Sequence, residues 1–177
     1  MRQLARVLGE LLTWVVIALM VGLTVVVVAA VVYRKMGASL SWYDEIAGVL
    51  LAWITYYGAA LAALKRSHIG FDDVLLSLPP SARKVAIVAS EILVVLFFAI
   101  LAWSGMEVLN ILEGEKLVSL TWIPVAVTQS IIPIGAVLFI VAEILSFPDY
   151  WRDVMAGRSV EHPPLAHGAS PDKGHHP

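Results

Sequence analysis

Three carboxylates stand inside long apolar runs of this chain: Glu91, Glu107 and Glu143. A carboxylate at membrane depth is costly to leave charged. Such a residue either exchanges a proton or cation, or meets a base or hydrogen-bond donor on a neighbouring helix. No Lys or Arg of the chain lies at matching depth. Glu91 falls about two turns inside one end of its run, and Glu143 lies at a similar depth on the last one. Glu107 lies near the opposite end. All three can reach interfacial water or a partner's base, so the pattern favours a structural contact over ion coupling.

The remaining chemistry is sparse. All five histidines, His68, His162, His167, His175 and His176, lie outside the apolar runs. Haem held between paired intramembrane histidines is therefore not supported. A flexible tail gives its histidines no fixed geometry for a metal. No nucleophile constellation, phosphate loop or metal-spaced cluster is visible. Neither catalytic residues nor a resident cofactor or metal are expected.

The elements that carry these acids follow from composition. Of 177 residues, 59% are hydrophobic and 15% charged, against roughly 45–50% and 25% in soluble domains. That surplus of apolar surface marks a membrane protein. The net charge of −2 gives no nucleic-acid footprint, and the absence of Cys excludes disulfides and thiolate metal sites. Four apolar runs appear: Leu11 to Val32, Ile46 to Leu64, Val85 to Leu109, and Leu117 to Phe147. Each is long enough for a helix to cross a hydrocarbon core of about 30 Å. The first is too long for a signal-peptide core and no small-residue cleavage site follows it, so it reads as a retained helix. The expected fold is all-α, with spans near 11–33, 43–65, 84–110 and 120–147. These form a transmembrane domain over 1–157, followed by a disordered tail over 158–177. The ten-residue alternation of a membrane barrel is missing.

Nine of the twelve Lys and Arg residues fall on one side of this topology and three on the other. The positive-inside rule then places both termini in the cytoplasm. Trp42 and Trp122 fall at outer boundaries and Trp14 and Trp151 at inner ones, as amphipathic rings prefer. Trp53 and Trp103 lie deeper and read as packing residues. Phe71, Val74, Leu75 and Leu78 are spaced for a short interfacial helix in the second loop. Ser81 is placed to cap the third span. A second surface helix is expected after Pro148. Pro133 with Gly135 should kink the last span. Gly48 with Ala52, and Ala59 with Ala63, form a small-residue stripe along the second span.

The second span is bracketed asymmetrically, by Asp44 and Glu45 in front and Lys65, Arg66 and His68 behind. Ser41 can serve as its N-cap with Asp44 three residues on. The acids suit the positive end of the helix dipole and the bases its negative end.

On these residues the chain resembles the small membrane subunit of tripartite ATP-independent periplasmic (TRAP) transporters. Trp42-Tyr43-Asp44-Glu45 is similar to that family's aromatic-and-acid opening of the second helix. Trp53, Tyr56, Tyr57 and Gly58 resemble its core, and Arg66, His68, Ile69 and Asp72 its exit. Leu78-Pro79 with Arg83, Gly114-Glu115 and Ile132-Pro133-Ile134-Gly135 follow in order. The resemblance spans roughly residues 5 to 150 and leaves out the His-containing tail. It implies a multi-pass subunit of a bacterial inner membrane that works with a large membrane subunit and a periplasmic solute-binding protein. The large subunit would bind sodium and substrate and move as an elevator. This chain would scaffold it and help dock the binding protein during uptake of an organic acid such as a C4-dicarboxylate. Trp42, Asp44, Glu45, Arg66, His68, Asp72, Glu91 and Glu143 are the candidate partner contacts.

Two rivals stand beside this reading. One is an autonomous four-helix proton-coupled exporter using Glu91 or Glu143. Small exporters of that kind are usually shorter and keep a Glu in the first span, which here is uncharged. The other is a membrane-embedded enzyme subunit or assembly factor, which should offer a convergent polar cluster.

Overall fold

The computed structural model describes residues 2–38, 40–65 and 79–156. The expected interfacial helix before Pro79 and the tail from Arg158 lie outside the described residues. Helix α1 runs Arg2–Lys35, α2 Tyr43–Leu64, α3 Pro80–Ile111, α4 Val125–Gln129 and α5 Ile131–Met155. Four helices are long and apolar enough to cross a membrane, the last span including α4 and most of α5. No named strand occurs among the described residues, which contain one isolated bridge, Lys116 with Pro124.

The four long helices stand in a row. α1 packs on α2, α2 on α5, and α5 on α3, with only a slight contact between α1 and α5. The order α1–α2–α5–α3 makes α5 central, and small residues on facing surfaces explain its position. Ala60 and Ala63 of α2 and Ala136 and Ala142 of α5 are fully buried. Phe139 of α5 stacks on Phe98 of α3, with ring centroids 3.7 Å apart. Small residues permit close helix approach where lipid supplies no hydrophobic drive between helices. Only half of the expected α2 stripe takes part. Ala59 and Ala63 join this core, whereas Gly48 is exposed and meets nothing within 4 Å. The close approaches are made elsewhere, by Gly135 against Tyr56 and by Gly105 against Ile132 and Pro133.

Several local expectations are corrected. α1 starts at Arg2 and so contains the expected first span of 11–33, since nothing before Leu11 breaks the helix. α3 begins at Pro80 with Pro79 as N-cap and no side-chain cap, so Ser81 does not cap it. Proline suits this first position because its φ is preset and it has no N–H to satisfy. The disturbance expected from Pro133 falls in the turn before it, where α4 and α5 are separated at Ser130, itself still in helical φ/ψ (−58°, −21°). Proline cannot donate to the carbonyl four residues back, and its ring crowds that carbonyl. For Pro133 that carbonyl belongs to Gln129, the last residue of α4. Pro148, by contrast, lies inside α5, and no separate surface helix follows it. Val154 beyond it is buried. The Arg83 guanidinium donates to the Val154 carbonyl at 3.3 Å, so tertiary contacts hold the final turns in helix. The exposed Arg152–Asp149 pair at 3.7 Å adds little.

The two deep tryptophans part company. Trp103 is 78% exposed and lines an open groove along α3 and α5 rather than packing into the core. Trp53 donates its indole N–H to the Thr128 carbonyl at 3.0 Å. That carbonyl sits in the last turn of a five-residue helix, where no following turn serves it. Trp53→Phe should therefore strand a buried acceptor, at a cost of about 1–3 kcal/mol. Thermal unfolding of the purified protein should show a clear loss for Trp53→Phe and almost none for Trp103→Phe. Equal losses would contradict the assignment.

Candidate functional site

The site is built where α1 ends, α2 begins and the 112–124 loop folds back. α1 terminates in a Schellman motif. Gly37 takes φ +82°, its N–H donates to the Arg34 carbonyl at 3.1 Å, and the Ala38 N–H donates to the Tyr33 carbonyl at 3.0 Å. Glycine suits that left-handed position because a Cβ there is strained. The turn leaves Arg34 beside the start of α2. Its guanidinium donates to the Tyr43 hydroxyl and lies 5.6 Å from the centroid of the same ring. Arg34, one of three bases on the minority side of the topology, is thus held by an aromatic neighbour.

The N-cap of α2 is Trp42 and not Ser41, and no side chain caps the helix. Ser41 contributes differently: its carbonyl accepts the Ser119 hydroxyl at 3.2 Å. Glu45 also does more than complement a helix dipole. Its Oε1 accepts the Val118 N–H at 2.9 Å and its Oε2 the Ser119 N–H at 2.8 Å. One carboxylate thereby clasps two successive loop amides, an arrangement in which adjacent N–H groups form a small anion cradle.

The loop is shaped to present those amides. Gly114 turns the chain at φ +91°. Val125 N–H donates to the Glu115 carbonyl at 2.9 Å, Leu117 N–H to Ile123 at 3.1 Å, and Ile123 N–H to Leu120 at 2.9 Å. These bonds close the base of the loop and push its tip outward. Trp122 and Val118 there are 75% and 88% exposed. Asp44, Glu113 and Glu115 are exposed on the same rim. The structure therefore divides the two bracketing acids. Glu45 is committed to the loop, and Asp44 is left exposed to solvent.

The other candidates are dispersed. Trp42 is half-buried at the rim. Arg66, His68 and Asp72 lie outside the described residues. Glu91 is half-buried and Glu143 is buried, and neither is without a partner. Glu107 and Asn110 line a cavity of about 580 Å³ along α3 and α5, together with Trp103 and Pro133. Sequence reasoning missed the Trp53–Thr128 and Arg83–Val154 bonds. Pro133 was the available signal for the first, since a break before it had to leave carbonyls in need of donors. Nothing local signalled the second.

Comparison with known proteins gives one consistent result. Residues 23–153 match the family described as the DctQ component of tripartite ATP-independent periplasmic transporters. A Haemophilus influenzae protein whose name is that of a TRAP transporter small permease is 17% identical over 116 residues, covering 65% of this chain and 70% of that protein.

Proposed function

The chain belongs to the DctQ-component family of tripartite ATP-independent periplasmic transporters, and from that premise we propose that it is the non-catalytic small permease subunit of such a transporter. It scaffolds a large elevator-type membrane subunit and helps a periplasmic solute-binding protein to dock. The work served is ion-gradient-driven uptake, usually with sodium, of an organic acid such as a C4-dicarboxylate. Sodium and solute bind the large subunit and not this chain. The family match is the observation that carries the reading. The shape supports it: helices in a row offer two broad faces, and α1 and α3 at its ends carry long exposed apolar surfaces. Such surfaces suit lipid on one side and a second membrane subunit on another.

The distribution of Lys and Arg orients the chain in a bacterial inner membrane with both termini cytoplasmic. The Glu45 rim then faces the periplasm, where a binding protein arrives. Asp44, Trp122 and Val118 form the contact it meets, and Glu45 holds that contact in shape. Arg66, His68 and Asp72 lie on the cytoplasmic side in this orientation.

The test is co-purification of the chain with its large subunit, followed by sodium-driven uptake into proteoliposomes with and without it. Uptake should fall at least tenfold (about 1.4 kcal/mol in an effective barrier) when the chain is omitted, and return when it is added back. Full uptake without it would reject the scaffold role.

A further inference from the structure

At the rim opposite Glu45, the start of α1 meets the end of α2, and a hollow of about 440 Å³ lies between them. Gly9 sets their approach: a Cβ built on it would stand 3.4 Å from Leu64 Cδ2. This contact puts Arg6, one turn before Gly9, on the same rim as Lys65, the residue after Leu64. Both bases line the hollow, together with one acid, Glu10, and with Trp14 further along the wall. Arg6, Glu10 and Lys65 are exposed, and among the described residues neither base makes an ion pair. Trp14 is 71% exposed and stands two turns above Arg6, about 12 Å along the axis. That is the spacing of a headgroup layer from the first part of the acyl chains.

We propose that this hollow is a binding site for one anionic phospholipid, its phosphodiester held by Arg6 and Lys65 and an acyl chain lying along the apolar wall beside Trp14. Bases that merely snorkel to water need no cavity and need not converge. Here two bases from different helices flank one hollow that continues into an apolar wall, the layout by which membrane proteins hold acidic lipid headgroups. Among the described lining residues, two bases and one acid leave one net positive charge, which matches a singly charged phosphodiester. Glu10 opposes the anion, so its neutralisation should strengthen binding. A zwitterionic headgroup would behave oppositely, because its ammonium would gain from Glu10. This site is independent of the transport reading, since it needs only the α1–α2 pair.

The experiment is native mass spectrometry of the full-length chain in non-ionic detergent, titrated with phosphatidylglycerol, phosphatidylethanolamine or phosphatidylcholine, with inorganic phosphate as competitor. The first phosphatidylglycerol should bind at least tenfold tighter than phosphatidylcholine. Each base lost should weaken it about fivefold, so Arg6→Ala with Lys65→Ala weakens it roughly twenty-five-fold. The pair Arg6→Lys with Lys65→Arg should retain most of the affinity, and Glu10→Gln should increase it. Circular dichroism on each variant separates lost binding from lost fold. The proposal is overturned if phosphatidylethanolamine binds as well as phosphatidylglycerol, or if Glu10→Gln weakens binding. It is equally overturned if a folded double-alanine variant binds unchanged, or if inorganic phosphate at equal concentration displaces the lipid.

Discussion

Gly135→Ala should destabilise the protein by about 1–3 kcal/mol, the range for overfilling a packed interior, and Gly135→Leu should prevent a stable fold. The added Cβ would lie 2.7 Å from Tyr56 Cβ and 2.8 Å from Tyr56 Cδ1. The nearest of these atoms is the base of a side chain on a packed helix and cannot swing away. Relief requires α2 and α5 to separate. That separation would pull Trp53 from the Thr128 carbonyl and expose the alanines that line the seam. Thermal unfolding in detergent checks this, with Gly48→Ala as the control, since a Cβ at Gly48 meets nothing within 4 Å. Tyr56→Gly removes the clashing atoms at a cost of its own, so in that background Gly135→Ala should cost clearly less than it does in the parent. If Gly135→Ala and Gly48→Ala unfold alike, α5 does not seat against α2 as described.

The contrast between these glycines shows how far the sequence could be read. Apolar length alone located four helices, because a membrane leaves the backbone little choice but to satisfy its own hydrogen bonds. Which small residues meet another helix was not readable. Gly48 and Gly135 look alike in sequence, and only the row order α1–α2–α5–α3 distinguishes them. The prolines were legible as disturbances but not in their outcome. Pro133 disturbs the helix at Ser130, whereas Pro148 is carried through by Val154 and Arg83. Both results depend on packing partners distant in sequence. The rim behaved similarly. Asp44 and Glu45 share a helix turn and both suit its dipole, so local reasoning assigned them together. The amides that claim Glu45 lie more than seventy residues away, and no local rule points to them.

That separation of roles yields the second large effect. Glu45→Gln keeps the side-chain length but leaves one acceptor oxygen facing two amides, and its own N–H2 group meets a donor. A hydrogen bond to a charged acceptor contributes about 1.5–3 kcal/mol, less at an exposed site where solvent competes. Losing about 1–2 kcal/mol from the clasp corresponds to roughly a five- to thirtyfold rise in loop opening. Hydrogen–deuterium exchange should register this at Val118 and Ser119 while α2 and α5 stay protected. Glu45→Asp, one methylene shorter, should also lose the two-pronged contact. Asp44→Lys makes no change to the clasp, so amide exchange in the loop should stay as in the parent. In the assembled transporter, however, Asp44→Lys should weaken capture of the solute-binding protein by reversing an exposed charge on the rim. Glu45→Gln should weaken it by loosening the surface on which Trp122 stands. Unchanged exchange at Val118 and Ser119 in Glu45→Gln would remove the clasp from the account. Unchanged capture by a folded Asp44→Lys complex would remove the rim's charge from docking while leaving the clasp intact.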